Sequence, residues 1–240
     1  IQIRLVGSEM CIRDRVLSIL FFLPVLFLLF LYPSKHNYET LDVVRENIPE
    51  LYNFKTLEGD SVRLENHLTV LAFFGKTPME DATNALNLKE LIYDKFLGFK
   101  RFQVLALVPH SAKLQSMDLN KELNAYLPLE YWKFAFGSDD AINEAYKSLQ
   151  IESPLSTNLA SASVFVVDRE RHQRGRLDDR TKSEIEAGSA VYSMAAYNVL
   201  DVSDLKNKMS DDIRILFTEY RQKRKGNFSS TTRRANDLKQ

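Results

Sequence analysis

The most continuous apolar run of the chain is "VLSILFFLPVLFLLFLY", Val16–Tyr32, broken only by Ser18 and Pro24. It predicts a helix at the short end of the range, about 17–25 residues, that crosses a bilayer. Farther on, the pattern changes character. Leu51–Leu57 reads as a strand, Glu58-Gly59-Asp60 as a turn and Ser61–Leu64 as the returning strand of a hairpin. "TVLAFF" (Thr69–Phe74) and "FQVLALV" (Phe102–Val108) are unbroken apolar runs, as expected of strands buried on both faces. Between them Leu88, Leu91, Ile92 and Phe96 recur at helical spacing, predicting a helix over Pro78–Phe96.

A second helix fits Ala112–Tyr126, a strand Trp132–Phe136, and a third helix begins after Ser138, an N-cap followed by Asp139 and Asp140. "ASVFVVD" (Ala162–Asp168) is strand-like, and "RGRLDD" pairs with it across the polar turn Arg169–Arg174. The last helix opens at Ser203. Its stripe of Leu205, Met209, Ile213, Leu216 and Tyr220 faces a sheet. Strands alternating with helices predict an α/β fold with a central, mainly parallel sheet made mixed by a hairpin at Val164–Leu177.

The chain divides on this reading into residues 16–32 as a membrane anchor, 33–47 as a linker, 48–225 as one domain and 226–240 as a solvated basic tail. Within the linker, Tyr38–Ile48 reads as polar and partly helical. "LVGSEMCIRDR" matches the translation of a sequencing adapter, so residues 1–15 are read as foreign to the fold. That segment holds the one cysteine, Cys11. The apolar run is not followed by a small-x-small cleavage site, which favours an uncleaved anchor. Arg13 and Arg15 do not orient it, because they belong to the adapter segment.

Equal numbers of basic and acidic residues, 32 of each, argue against a nucleic-acid binder. His36, His67, His110 and His172 show no metal-ligand spacing, and no nucleotide loop or Ser-His-Asp set is present. No cofactor and no small-molecule substrate is expected. Thr77-Pro78-Met79-Glu80 matches a capping box, with Thr77 as N-cap and Pro78 at the first helical position. Two minor readings of the same loop are an anion held with Lys76, and a hard-ligand metal site from Glu80, Asp81 and His110. The cluster Arg169, Arg171, Arg174 and Arg176, with Tyr192 and Tyr197 downstream, reads either as a solvated hairpin with packed loop or as a surface for a protein partner.

Taken in order, "VLAFFGKTPMED", "YWKFAFGSDDAINEAYKSL" and "SVFVVDRERHQRGRLDD" resemble the Sco/SenC family, over roughly Ile48–Tyr220. The resemblance implies a thioredoxin-like fold and a membrane-anchored protein outside the cytoplasmic membrane, in cytochrome oxidase assembly. The family handles copper with a Cys-Pro-x-x-x-Cys loop and a distant histidine. Those three positions fall here on Thr77, Asp81 and, on or near, Ala160, so no ligand is retained. The resemblance therefore implies a binding or assembly module beside a respiratory or other envelope complex, without redox or copper chemistry. The alternative is an active copper carrier using Met79, Met117, Met194 and His110, or a peroxiredoxin-like or thiol-disulfide enzyme working on partner thiols.

Overall fold

A computed structural model describes residues 6–31, 40–125 and 127–225. The basic tail, residues 33–39 of the linker and Tyr126 lie outside the described residues. Two units result, Ile1–Tyr38 and Glu39–Gln240.

The first unit is the helix α1, Val6–Leu31, which is 26 residues long and contains Pro24. It begins inside the segment read as adapter. Large apolar side chains from Val16 to Phe30 stand exposed, Phe30 by 84%. Among the described residues no helix is long and apolar enough to cross a membrane, so α1 falls short of the expected spanning helix.

The second unit is built on the strands β1 (Asp42–Arg45), β2 (Leu68–Phe74), β3 (Phe102–Pro109), β4 (Trp132–Gly137), β5 (Ala160–Val167), β6 (Gln173–Gly175) and β7 (Tyr197–Asn198). Their order is β1-β6-β5-β2-β3-β4, with β7 also on β5. Among these strands, β2, β3 and β4 run parallel to one another. The other pairings are antiparallel. The sheet is thus mixed rather than mainly parallel. The linker is not helical at Asp42–Arg45; those residues extend the sheet as β1, paired with β6.

Helices cover both faces. They are α2 (Ala82–Leu88, prolonged by a π turn Lys89–Tyr93 and a 3-10 turn Asp94–Phe96), α3 (Lys113–Leu123), α4 (Asp139–Lys147), the short α5 (Lys182–Glu186) and α6 (Ser210–Lys225, entered through a π turn Asp204–Met209). Alternation along β2 sends Val70, Ala72 and Phe74 to one side, against Leu88, Ile92, Leu119, Met209 and Ile213. Leu71 and Phe73 go to the other side, against Ile142, Tyr146, Phe165 and the loop residues Leu51, Phe54 and Leu64. Both faces are dry, so the apolar run is unbroken; each large side chain buried contributes about 1.5–3 kcal/mol. The parallel β2-α2-β3 unit, joined to the antiparallel β5-β6 hairpin and closed by α6, is the arrangement of a thioredoxin-like fold.

The expected hairpin at Leu51–Leu57 and Ser61–Leu64 is reduced to its turn and a single bridge. Lys55 makes single bridges to Ser61 and to Phe136. Its N–H donates to Phe136 O at 3.1 Å and its carbonyl accepts from Phe136 N at 2.8 Å. Through these two bonds Lys55 covers part of the free edge of β4, while Phe54 packs over Gly137, where a Cβ would come within 2.5 Å of its ring. The turn forms as expected, with Gly59 at φ +90°.

Candidate functional site

At the end of β2 the chain must leave the sheet, and Gly75 does this at φ +65°. A Cβ there would meet Asn158 O at 2.3 Å and Ala160 N at 2.9 Å. Glycine therefore lets the segment before β5 close directly onto the loop. Phe74 still pairs with Ala160 in the ladder. One residue on, Lys76 N donates to Asn158 O at 2.9 Å and also lies 3.2 Å from Asn158 Oδ1.

The same asparagine turns its amide to the loop. Asn158 Nδ2 donates to Thr77 Oγ1 at 2.8 Å, and Thr77 Oγ1 donates onward to Glu80 Oε2 at 2.9 Å. Glu80 N donates to Thr77 O at 3.0 Å, closing a turn with Pro78 at its second position. Lys76 Nζ meets Asp139 at 2.8 Å, both side chains about half exposed. Such a pair is worth little, about 0–1 kcal/mol.

The expected capping box does not form at Thr77. Helix α2 starts at Ala82, with Asp81 at the N-cap position and no side-chain cap bond. Thr77 and Glu80 do meet, but hydroxyl to carboxylate, because Thr77 Oγ1 already accepts from Asn158 rather than from a helix amide. The Asp81 carboxyl is held above its ordinary value, first by partial burial and second by the neighbouring Glu80 charge. A reciprocal capping box occurs elsewhere, at Thr181 and Glu184 opening α5.

The positions matched to the family ligands are brought to one end of the sheet, Thr77 and Asp81 in the loop and Ala160 at the start of β5. What they offer is a hydroxyl, a carboxylate and a methyl group. Met79 is partly buried against the core, His110 sits in a 3-10 turn after β3, Met117 is on α3, and Met194 is buried at a bridge to Arg176. Among the described residues no group of three or more His, Cys, Asp or Glu is placed to hold a metal.

Of the expected partner surface, Arg174 and Tyr197 are buried, while Arg169, Arg171 and Arg176 are partly exposed. Arg174 is 5% exposed; its Nη1 donates to Asp168 at 3.0 Å and its Nη2 to Glu219 and to Leu41 O, both at 2.8 Å. Burial alone would lower the Arg174 pKa, but Glu219 and Asp168 hold it up. Tyr197 is fully buried, its hydroxyl donating to Asp212 at 2.8 Å and its pKa driven well up by burial and then by that carboxylate. Arg176 bonds Asp212 through Nε at 3.1 Å and Nη2 at 2.8 Å. Arg169 lies over the Tyr220 ring, 5.3 Å from its centroid. Arg171 stands in a turn at φ +64°, its Nη1 3.4 Å from Ile48 O. Of the set, Tyr192 stays 44% exposed, donating to Glu184 at 3.1 Å. Sequence reasoning missed Asn158; its only signal was the turn-rich stretch "SPLSTN" before a strand.

No protein-family model matches the chain, and no curated protein sequence resembles it. Among solved structures, the chain is similar to a candidate electron-transfer protein from Aquifex aeolicus (12% identity, 73% of this chain and 98% of that one, TM-score 0.48). It is similar also to copper-bound ScoI of Arabidopsis thaliana (15% identity, 68% and 96%, TM-score 0.44). A third is the thioredoxin domain of a thiol-disulfide oxidoreductase from Bacteroides vulgatus (13% identity, 71% and 98%, TM-score 0.39).

Proposed function

We propose that this protein is a thioredoxin-fold binding module, tethered to a membrane by α1, that works in assembly of a respiratory or other envelope complex without thiol or copper chemistry. One observation carries the reading: the loop position that resembles a thiol site is closed by the hydrogen-bonded series Asn158, Thr77, Glu80. Hydroxyl and carboxylate are hard donors, poorly matched to copper(I), and neither is a thiol-exchange nucleophile.

Tethering is supported by the part of α1 from Val16 to Phe30, where large apolar side chains stand exposed. A helix apolar all round has no water-facing side and needs a protein or lipid cover. Val16–Leu31 extends about 24 Å at 1.5 Å per residue, against a hydrocarbon core of about 30 Å. The resemblance to Sco/SenC proteins favours an outer-side location for the second unit and suggests the oxidase connection.

Copper(I) titration of the full chain in neutral detergent, against a competing chelator, tests the chemical half. No stoichiometric uptake is expected; tight uptake of one equivalent overturns it. Crosslinking in native membranes tests the other half: a stable protein partner is expected, and a chain recovered alone removes the assembly role while leaving the chemical conclusion standing.

A further inference from the structure

At the opposite end of β2 from the Thr77 loop lies an open cleft of about 660 Å³. Its floor is Leu68, the first residue of β2, and its walls come from the β2-β3 connection, the turn after β5 and the last turns of α6. Among the described residues, six cationic side chains line it, Lys100, Arg101, Arg169, Arg221, Lys223 and Arg224, against a single carboxylate, Glu170. Glu170 is engaged by Lys223 at 3.4 Å. Lys100, Arg101, Arg221 and Arg224 make no side-chain hydrogen bond or ion pair with any described residue, and all four are exposed.

Arg169 is the most informative of the six. Its Nε is buried without a hydrogen-bond partner among the described residues, and its guanidinium is held over the Tyr220 ring. Tyr220 is itself fixed by accepting from Arg169 N at 3.2 Å. A guanidinium fixed from one side, with donors left over, is pre-organised to bind an oxyanion. Beside it Phe99 stacks on Phe217 at 4.0 Å with 19° between the rings, giving the cleft an apolar wall.

We propose that this cleft binds a phosphate-bearing ligand, with Arg101, Arg169 and Arg221 as its oxyanion contacts and Phe99 against its apolar portion. Arginine forks match phosphate oxygens in bidentate geometry, and several uncompensated cations favour a multiply charged anion over a single carboxylate. The site is remote from the Thr77 loop and does not depend on how that loop functions. Its ligand chemistry has two sources, a free phosphorylated molecule and the headgroup of an anionic lipid.

The experiment uses the full chain. In neutral detergent it is titrated calorimetrically with inorganic pyrophosphate; in parallel its association is compared on vesicles of phosphatidylcholine alone and mixed with phosphatidylglycerol. Arg101→Gln combined with Arg221→Gln is the test variant, since both side chains are exposed and their loss leaves the core intact. Lys133→Gln with Lys147→Gln, elsewhere on the domain, is the charge-matched control. Saturable pyrophosphate binding weakened about tenfold or more in the test variant alone identifies a free phosphate ligand. A preference for phosphatidylglycerol lost only in the test variant, without pyrophosphate binding, identifies a lipid headgroup. Neither signal, or signals that fall equally in the control, overturns the proposal.

Discussion

Gly75 shows how much of the candidate site depends on a missing side chain. Its φ of +65° and the carbonyl of Asn158 close beside it make two separate demands. Gly188, at φ +70° with nothing within 4 Å of where a Cβ would sit, makes only the first. Gly188→Ala is therefore expected to cost about 1 kcal/mol, while Gly75→Ala adds a backbone collision and costs about 2–4 kcal/mol. Urea unfolding of the two variants checks this; equal losses would mean that the approach of Asn158 is easily relaxed. From spacing alone Thr77 and Glu80 were legible as neighbours, though as a helix cap and not as the hydroxyl-carboxylate pair they form. Their partner was not, because Asn158 is 81 residues from Thr77.

At the scale of elements, helix ends followed local rules where no distant group intervened. Ser138 caps α4 as expected, accepting from Ala141 N at 3.1 Å. Thr181 and Glu184 form the reciprocal box on α5, and Glu184 Oε2 also accepts from Thr181 N at 2.7 Å. The Thr181 backbone N–H, more than the Thr181 hydroxyl, holds the Glu184 carboxyl below its ordinary value. A lowered folded-state value means that the contribution is present above the unfolded value and lost as pH falls through the folded one. The protection of the amides of residues 181–188, relative to their intrinsic exchange at the same pH, should accordingly fall on acidification in that window. Glu184→Gln keeps a hydrogen-bonding box but should remove the acid step; a step that persists assigns it to another group. The N-terminal hairpin is reduced to its turn and one bridge, Lys55 to Ser61, and Lys55 also bridges Phe136, on an edge that no local pattern reveals.

Across the whole molecule, Arg174 ties together the segment before β1, the end of β5 and α6, through Leu41, Asp168 and Glu219. Asp168 further accepts from Glu170 N at 3.0 Å and His172 N at 2.8 Å, shaping the β5-β6 turn. Removing one member leaves buried carboxylates unmatched, so Arg174→Ala is expected to lower the unfolding free energy by about 3–5 kcal/mol. Arg171→Ala, in the adjacent turn, should cost under about 1 kcal/mol. Chemical denaturation of both distinguishes a buried tie from the surface role that the arginine cluster suggests in the sequence; similar losses would refute the tie. The sequence by itself determined the buried strands, the helical faces and the absence of thiols from Val16 onward, since periodicity and residue type are local properties. Tertiary structure alone decided which charges are buried, which loop meets Asn158 and where six cations gather around a cleft. Those outcomes depend on residues far apart in the chain being brought within a few ångströms, and no local pattern encodes that distance.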